Sequence, residues 1–297
     1  MNSLPANGLL HRDAEGDGRS SWVFFDARPH VLGNKRRTLK GLQGWHNWIH
    51  TTDGLADPSS RAGGHFEEIP LRHQRSCHTE DSSRLHDSIL VLKQLVSEAE
   101  CKQLIAAADQ WCSSSESSTA GLCRIQCHPD GINLDGCTHA LSHAILTRAL
   151  WTLEHLEPEL CAELFPDATN LCDFWFRFSG DEPMLNRYTS GGVFEPHQDG
   201  HALTVLVPLS TSGVDFQGGG TAFWSEQEIG QDSTAAQGFP PSLVMRPPPG
   251  TGLFWRGHLT HAGLPVTEGM RHVFVASFNL HVQGFTGGDQ GVSFVEE

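Results

Sequence analysis

The seven residues Leu203-Thr-Val-Leu-Val-Pro-Leu209 form an apolar run that has the length of a buried strand and is too short for a typical helix. Short runs of this kind recur through the C-terminal half of the chain and are separated by Gly and Pro: Phe174–Phe176, Thr221–Trp224, Gly252–Trp255 and His272–Leu280. Many short strands at such spacing are typical of a β-sandwich or jelly roll rather than of alternating β-α units. The sequence therefore predicts a strand-rich core over residues 171–283.

Helices are predicted before this core. Ser88–Leu92 is a short strand candidate, and Ser97-Glu-Ala-Glu100 has the Ser-x-x-Glu spacing of a helix capping box. Apolar residues then follow at helical spacing from Cys101 to Ala108, and a second helical pattern extends from about Thr138 to Leu156. We therefore expect an α+β domain over residues 86–297, in which helices within 86–170 buttress the strands. The Gly-, Ser- and Pro-containing segment 225–249 is predicted to be a long loop.

Residues 1–85 differ in composition from the rest of the chain. They are rich in Gly, Ser, Asp, His and Arg, and their apolar islands are short, at Trp22–Phe25 and Trp45–Trp48. This composition predicts an N-terminal extension that is either loosely structured or docked through its islands on the folded domain or on a partner.

Net charge and the N-terminal sequence bear on the expected partners and cellular location. The formal charge of −15 argues against broad attraction to nucleic acid or to anionic membranes. The first residues lack the pattern of a signal peptide, and no apolar run reaches about 18 residues, so we expect a cytoplasmic protein without a membrane partner, with a nuclear location left open. The eight cysteines include no CxxC pair and are expected to be mainly reduced thiols.

A candidate metal site lies in Phe194-Glu-Pro-His-Gln-Asp199. On a strand, His197 and Asp199 would point to the same face, and an imidazole nitrogen with a carboxylate oxygen suits a borderline divalent metal. A second histidine from another strand would complete a facial triad with open coordination positions. The chain has another His-x-Asp copy at His128 and Asp130, but its central proline and trailing glycine favour a turn. We therefore expect the metal at His197 and Asp199.

The order of several motifs resembles that of prolyl 4-hydroxylase-like iron(II)/2-oxoglutarate-dependent dioxygenases. The motifs are Asn186-Arg-Tyr188, Phe194–Asp199, Leu203–Leu209, Gly218-Gly-Gly-Thr221, His261-Ala-Gly-Leu-Pro-Val266 and Gly269-Met-Arg271. The resemblance extends over about residues 88–281. It implies a double-stranded β-helix core, Fe(II) as the metal, 2-oxoglutarate and O2 as cosubstrates, and ascorbate as a candidate reductant.

Position by position, the resemblance makes His197, Asp199 and His261 the iron ligands. It makes Arg271 the partner of the distal carboxylate of 2-oxoglutarate, a role that suits a guanidinium because its rigid fork matches a carboxylate and keeps its charge when buried. His258, three residues before His261, is the alternative third ligand, and the spacing to Arg271 favours His261.

Two further side chains are candidate contacts of the cosubstrate. Tyr188, the only tyrosine, stands nine residues before His197, where related enzymes use a tyrosine hydroxyl. Asn186 precedes it by two residues on the same face of the expected strand. The alternative is that neither residue binds the cosubstrate: Tyr188 would then be an ordinary half-buried strand residue, and Asn186 an asparagine near a bend. The glycines before Thr221 are expected to serve the backbone.

The resemblance also narrows the reaction. An intact Asp199 favours hydroxylation over halogenation, Ser277 stands where nucleic-acid demethylases carry a second arginine, and Arg271 departs from the lysine of collagen-type members. We expect hydroxylation of an unactivated C–H bond, of a peptidyl proline first and of a free amino acid or another small molecule as the alternative. A catalytically silent metal-binding jelly roll and a cupin-like metalloenzyme without a keto acid are the competing hypotheses.

Overall fold

The computed structural model describes residues 25–26, 38–40, 66–71, 85–114, 121–127, 136–166, 175–179, 182–230 and 233–281. The apolar island at Trp45–Trp48 and the second His-x-Asp copy at His128 and Asp130 lie outside these ranges.

The helices are α1 (Glu98–Ser114), α2 (Gly136–Leu156), α3 (Pro158–Leu164) and the short α4 (Glu226–Ile229), with a 3-10 helix at Ser233–Gly238. The predicted capping box is confirmed: the Ser97 amide donates to Glu100 Oε2 at 2.7 Å, and the Glu100 amide donates to the Ser97 hydroxyl at 3.3 Å. Glu100 also pairs with Arg148 of α2 at 2.8 Å, and that guanidinium is almost fully buried. None of the described helices is long and apolar enough to cross a membrane.

The strands are β1 (Phe25–Asp26), β2 (Thr38–Lys40), β3 (Glu67–Pro70), β4 (Ser88–Leu92), β5 (Leu122–Gln126), β6 (Trp175–Phe178), β7 (Met184–Tyr188), β8 (Phe194–His197), β9 (Leu203–Pro208), β10 (Phe216–Gly218), β11 (Thr221–Phe223), β12 (Leu243–Met245), β13 (Gly252–Trp255), β14 (His261–Gly263), β15 (Val266–Gly269) and β16 (Arg271–His281). Each strand that the apolar runs predict is present, with bounds shifted by at most two residues.

The strands form antiparallel sheets. The main sheet has the order β1-β2-β6-β16-β9-β13-β4-β3, and β7 also pairs with β16 and carries β5 on its other edge. A four-stranded sheet has the order β12-β11-β14-β8, and β10 pairs with β15. The predicted combination of helices with a strand-rich core is therefore confirmed. Strands β2 and β3 add residues from the first 85 to the main sheet, through pairing with β6 and β4.

Alternation along the strands separates two apolar layers. In β13, Phe254 packs in one buried cluster with residues of α1 and α2 such as Leu104 and Ile145, because its side chain points toward the helices. Its neighbour Trp255 points the opposite way and packs with Phe223 of β11, at 5.1 Å between ring centroids. The helices therefore cover one face of the main sheet, and the four-stranded sheet contacts the other.

The prediction of one long loop over residues 225–249 is wrong. The segment contains α4, the 3-10 helix and β12, which pairs with β11. The Ser225 hydroxyl accepts a hydrogen bond from the Gln227 amide and donates one to Asp87, so the start of α4 is supported by a residue 138 positions away. Elements of three to six residues are too short for a periodic pattern to reveal them.

Candidate metal centre

The two predicted histidine ligands lie opposite each other on neighbouring strands. His197 ends β8, His261 begins β14, and the register pairs them directly, with 4.3 Å between ring centroids. Asp199 lies two residues beyond the end of β8. The expectation that His197 and Asp199 point to the same face of one strand therefore fails for Asp199. The amides of Asp199 and Gly200 instead donate to the Gly257 carbonyl, at 2.8 and 3.1 Å. This clamp positions the carboxylate between the two imidazoles.

The donor atoms of these three side chains converge. Nε2 of His197 lies 3.5 Å from Asp199 Oδ1, and Nε2 of His261 lies 3.5 Å from Oδ2. One donor atom from each of the three residues lies within 4.8 Å of the other two. Two nitrogens and one carboxylate oxygen from three protein ligands make the donor set of a facial triad, which leaves coordination positions open.

Backbone carbonyls fix the tautomers of both histidines. Nδ1 of His197 lies 2.8 Å from the Glu195 carbonyl, and Nδ1 of His261 lies 3.0 Å from the Leu259 carbonyl. A carbonyl oxygen only accepts, so each Nδ1 carries the hydrogen and each neutral ring keeps its lone pair on Nε2. A ring nitrogen that donates to a carbonyl while the other faces the metal is the usual arrangement of a metal-binding histidine.

The protonation states also suit a cation. Burial alone would raise the pKa of Asp199, but His261, His197 and the Thr204 hydroxyl together hold it well below the ordinary value. Burial lowers the pKa of His261 to about 4, against the opposing effect of the Asp199 carboxylate. At neutral pH the cluster therefore consists of one carboxylate and a neutral His261, the forms in which these groups bind metals.

His258 does not join this cluster. Its Nε2 lies 3.1 Å from the His86 carbonyl, and its side chain groups with His86 and Glu226. The structure therefore brings His261, and not His258, together with His197 and Asp199.

Arg271 lies on the same face of the main sheet as Tyr188 and contacts Thr221 of β11, the strand that pairs with β14. It begins β16, after the short strand β15 that the sequence did not predict, and its register partner in β7 is Tyr188. The guanidinium is buried, lies 5.0 Å from the centre of the Tyr188 ring, and donates from Nη2 to the Thr221 hydroxyl at 2.8 Å. Burial lowers the pKa of Arg271 from its high ordinary value.

Three buried polar atoms around the site have no hydrogen-bond partner among the described residues: Arg271 Nη1, Asn186 Oδ1 and Trp255 Nε1. Buried polar atoms are nearly always paired, so such atoms at a predicted ligand site indicate a missing polar partner. A carboxylate would satisfy the guanidinium donor. The residues present therefore fit a ligand of the 2-oxoglutarate type.

Two glycines allow close approach at this site. A Cβ at Gly263 would lie 3.1 Å from the Tyr188 hydroxyl, so the absence of a side chain brings that hydroxyl against β14. Gly219 has φ +56°, and a Cβ there would lie 3.2 Å from Arg271 Cδ. The expectation that the glycines before Thr221 serve the backbone agrees with the positive φ values of Gly218, Gly219 and Gly220.

The sequence reasoning missed several residues around the cluster. Thr204 donates to Asp199 Oδ2 at 2.5 Å, and a signal for it existed, because it is the one hydroxyl in an apolar run. Glu182 is buried, and burial together with Asp199 raises its pKa to about 8, against the effect of Arg124. The Arg124 guanidinium lies over the ring of Phe194, which in turn contacts the His197 ring.

No family model matches the chain, and no curated protein matches it. Among solved structures, it is similar to the truncated viral collagen prolyl hydroxylase vCPH from Paramecium Bursaria Chlorella virus-1 (TM-score 0.45, 17% identity, 71% of this chain and 100% of that one). It is also similar to HygX from Streptomyces hygroscopicus with nickel and 2-oxoglutarate bound (0.41, 14%, 64% and 82%) and to a Pseudomonas putida prolyl-4-hydroxylase (0.39, 12%, 64% and 91%). At these TM-scores, assignment of the site rests on the chain's own geometry.

Proposed function

We propose that this chain is an Fe(II)- and 2-oxoglutarate-dependent oxygenase with a double-stranded β-helix core. The iron ligands in this proposal are His197, Asp199 and His261. The observation that carries it is the pair of facing histidines, each turned by a carbonyl so that Nε2 faces the same carboxylate. When bound, the iron would activate O2, the oxidant: one oxygen atom would go into succinate as 2-oxoglutarate loses CO2, and the other would go into the hydroxylated C–H bond of the substrate.

Arg271 binds the distal carboxylate of 2-oxoglutarate in this proposal. Thr221 holds one guanidinium nitrogen, and the other, Nη1, has no partner among the described residues and is available to the ligand. Tyr188 lies under the guanidinium, and the Asn186 side chain hydrogen-bonds to Tyr188, so we assign both to the lining of the cosubstrate site. A buried ion pair needs such surrounding contacts, because desolvation of both charges opposes its formation.

The apolar wall of the site keeps His261 neutral and limits access of water. The Trp255 ring lies 4.8 Å from the His261 ring, and the Phe223 ring packs against Trp255. Water exclusion strengthens electrostatic interactions inside the pocket and restricts side reactions of an oxidising metal. His197 is more exposed, with about a third of its side chain accessible, so the substrate enters from its side.

For the substrate, we propose a peptidyl proline, with a free amino acid or another small molecule as the alternative. The motif order shared with prolyl 4-hydroxylase-like enzymes supports the first. Ascorbate is the proposed reductant. The complete set of proposed ligands, together with a buried Arg271 Nη1 that has no hydrogen-bond partner among the described residues, argues against a catalytically silent metal-binding protein.

Turnover tests this function. The iron-loaded chain should form succinate from 2-oxoglutarate, and a panel of proline-containing peptides and free amino acids should reveal a product heavier by one oxygen atom. His261→Ala should abolish both signals, whereas His258→Ala should retain them. Succinate formation that His261→Ala leaves unchanged would contradict the proposal.

A further inference from the structure

A second group of metal-binding side chains lies outside the centre described above. One donor atom each from His86, Glu226 and His258 lies within 4.8 Å of the other two. Nε2 of His86 is 3.9 Å from Glu226 Oε2, Nε2 of His258 is 4.0 Å from Oε1, and the two imidazole centroids are 5.2 Å apart. The two histidines thus approach different oxygens of one carboxylate.

Three separate chain segments supply these residues, and hydrogen bonds hold the segments together. Asp87, next to His86, accepts hydrogen bonds from the Ser225 hydroxyl at 2.5 Å and from the Glu226 amide at 3.3 Å. His258 lies in the turn before β14, and the Trp224 amide donates to the Thr260 carbonyl at the end of that turn, at 3.0 Å. The cluster is therefore supported on each side by the backbone of the fold.

We propose that His86, Glu226 and His258 bind a second divalent cation of the zinc class. Two imidazoles and one carboxylate make a His2Glu donor set, which holds zinc in a tetrahedral site with water as the fourth ligand. Bonds of 2.0–2.1 Å at tetrahedral angles place ligand atoms about 3.3 Å apart, so the three donor atoms, which lie within 4.8 Å of one another, must close by up to about 1.5 Å. His86 and His258 are both partly exposed, with 54% and 36% of their side chains accessible, which permits rotation of both rings.

One contact of His258 must be reconciled with metal binding. Its Nε2 lies 3.1 Å from the His86 carbonyl, an acceptor, so the ring donates there and carries its lone pair on Nδ1. Binding through Nδ1 keeps this hydrogen bond, which then orients the ring as carbonyls do for metal-bound histidines. Binding through Nε2 exchanges it for a metal–nitrogen bond. Both modes use the same three residues.

A cation at the second site would cross-link chain segments that lie close to the first site. His258 lies three residues before His261, and the turn between them includes Thr260, whose hydroxyl accepts from Gln198 at 3.1 Å. A cation at the second site would tie this turn to α4 and to the segment before β4. It would thus stiffen the support of one primary ligand while sharing no donor atom with the primary centre.

Metal stoichiometry tests the proposal. The full chain, stripped of metal, is dialysed against Zn²⁺ alone, and bound zinc is counted. Glu226→Gln and His258→Gln should each bind one equivalent fewer than the unaltered chain. Glu228→Gln, two residues along the same short helix and outside the cluster, should match the unaltered chain. Tetrahedral Co²⁺ absorption should fall in the same two variants.

Asp199→Ala separates the two sites. It should lose zinc at the primary centre and retain the equivalent that Glu226→Gln removes, and the combined variant should lose both. The second-site proposal is overturned if Glu226→Gln and Glu228→Gln bind the same amount of zinc, or if His258→Gln keeps full stoichiometry. Because the Asp199 variant reports on the primary centre separately, a failure at one site carries no implication for the other.

Discussion

His197 and His261 face each other across neighbouring strands, and each places Nδ1 against the carbonyl of the residue two positions earlier, Glu195 and Leu259. The same local contact therefore sets the tautomer of both rings. Since the carbonyls belong to the histidines' own strands or turns, ring orientation is built into the local backbone and does not require a metal. The proposed centre is thus preorganised for a cation between the two Nε2 atoms.

Thr204→Val should weaken metal binding without disturbing the fold. The variant keeps the shape of a buried strand residue but removes the hydroxyl that donates to Asp199 Oδ2. Loss of a hydrogen bond to a metal-binding carboxylate typically lowers metal affinity about 10- to 100-fold. Titration with Co²⁺ measures the change. Thr260→Val, which loses a contact to Gln198 and none to Asp199, is the matched control. Equal affinities in the two variants would show that Thr204 does not support Asp199.

Arg271→Ala should raise the concentration of 2-oxoglutarate needed for half-saturation and leave iron binding largely intact. A hydrogen bond to a charged group contributes about 1.5–3 kcal/mol, which corresponds to roughly a 10- to 150-fold weaker cosubstrate. Arg271→Lys keeps the charge but loses the fork, so its effect should be smaller. Calorimetric titration of the metal-loaded protein measures both. Unchanged cosubstrate affinity in Arg271→Ala would assign the carboxylate to another residue.

Glu182→Gln should remove a pH dependence of stability in metal-free protein. The folded-state pKa is about 8, compared with the ordinary value of 4.5. Between these pH values the folded chain holds a proton that the unfolded chain has lost, so rising pH lowers the free energy of unfolding across this window. The variant does not titrate there and should be more stable than the unaltered chain at pH 8, by on the order of 1–4 kcal/mol, and similar to it near pH 4.5.

Urea unfolding in the presence of a chelator at several pH values measures this difference. Burial lowers the pKa of His261 to about 4 in the unaltered chain, and because Glu182→Gln leaves that burial in place, the comparison is expected to cancel the opposite contribution of His261. Stability curves that run parallel for Glu182→Gln and the unaltered chain would mean that Glu182 is ionised in the folded state.

Glu100→Gln should destabilise the packing of α1 against α2. Glu100 pairs with the buried Arg148 and also closes the capping box with Ser97. Removing one partner of a buried ion pair costs about 3–5 kcal/mol, because the remaining charge stays desolvated. Glu98→Gln, which breaks an exposed pair with Lys102 in the same helix, is the control and should leave the melting temperature unchanged. Similar melting temperatures for the two variants would contradict the prediction.

Much of the fold could be predicted because local sequence patterns indicate its helices and strands. The apolar runs gave β4, β9 and β13, and the capping box placed the start of α1 at the observed residue. The three proposed metal ligands were predicted from their sequence motifs, and pairing of β8 with β14 brings two of them, His197 and His261, together. By contrast, the Gly257 carbonyl that clamps Asp199, and Asp87 that supports α4, act across many residues. Contacts of that range leave no local pattern in the sequence.

Anaerobic titration with Fe(II) and 2-oxoglutarate tests the central claim most directly, because chelation of iron by a 2-keto acid produces a weak visible charge-transfer band. The unaltered chain and His258→Ala should show the band, and Asp199→Ala and His261→Ala should lose it. Absence of the band in the unaltered chain would contradict the proposed function, and its retention in both Asp199→Ala and His261→Ala would contradict the assigned ligands.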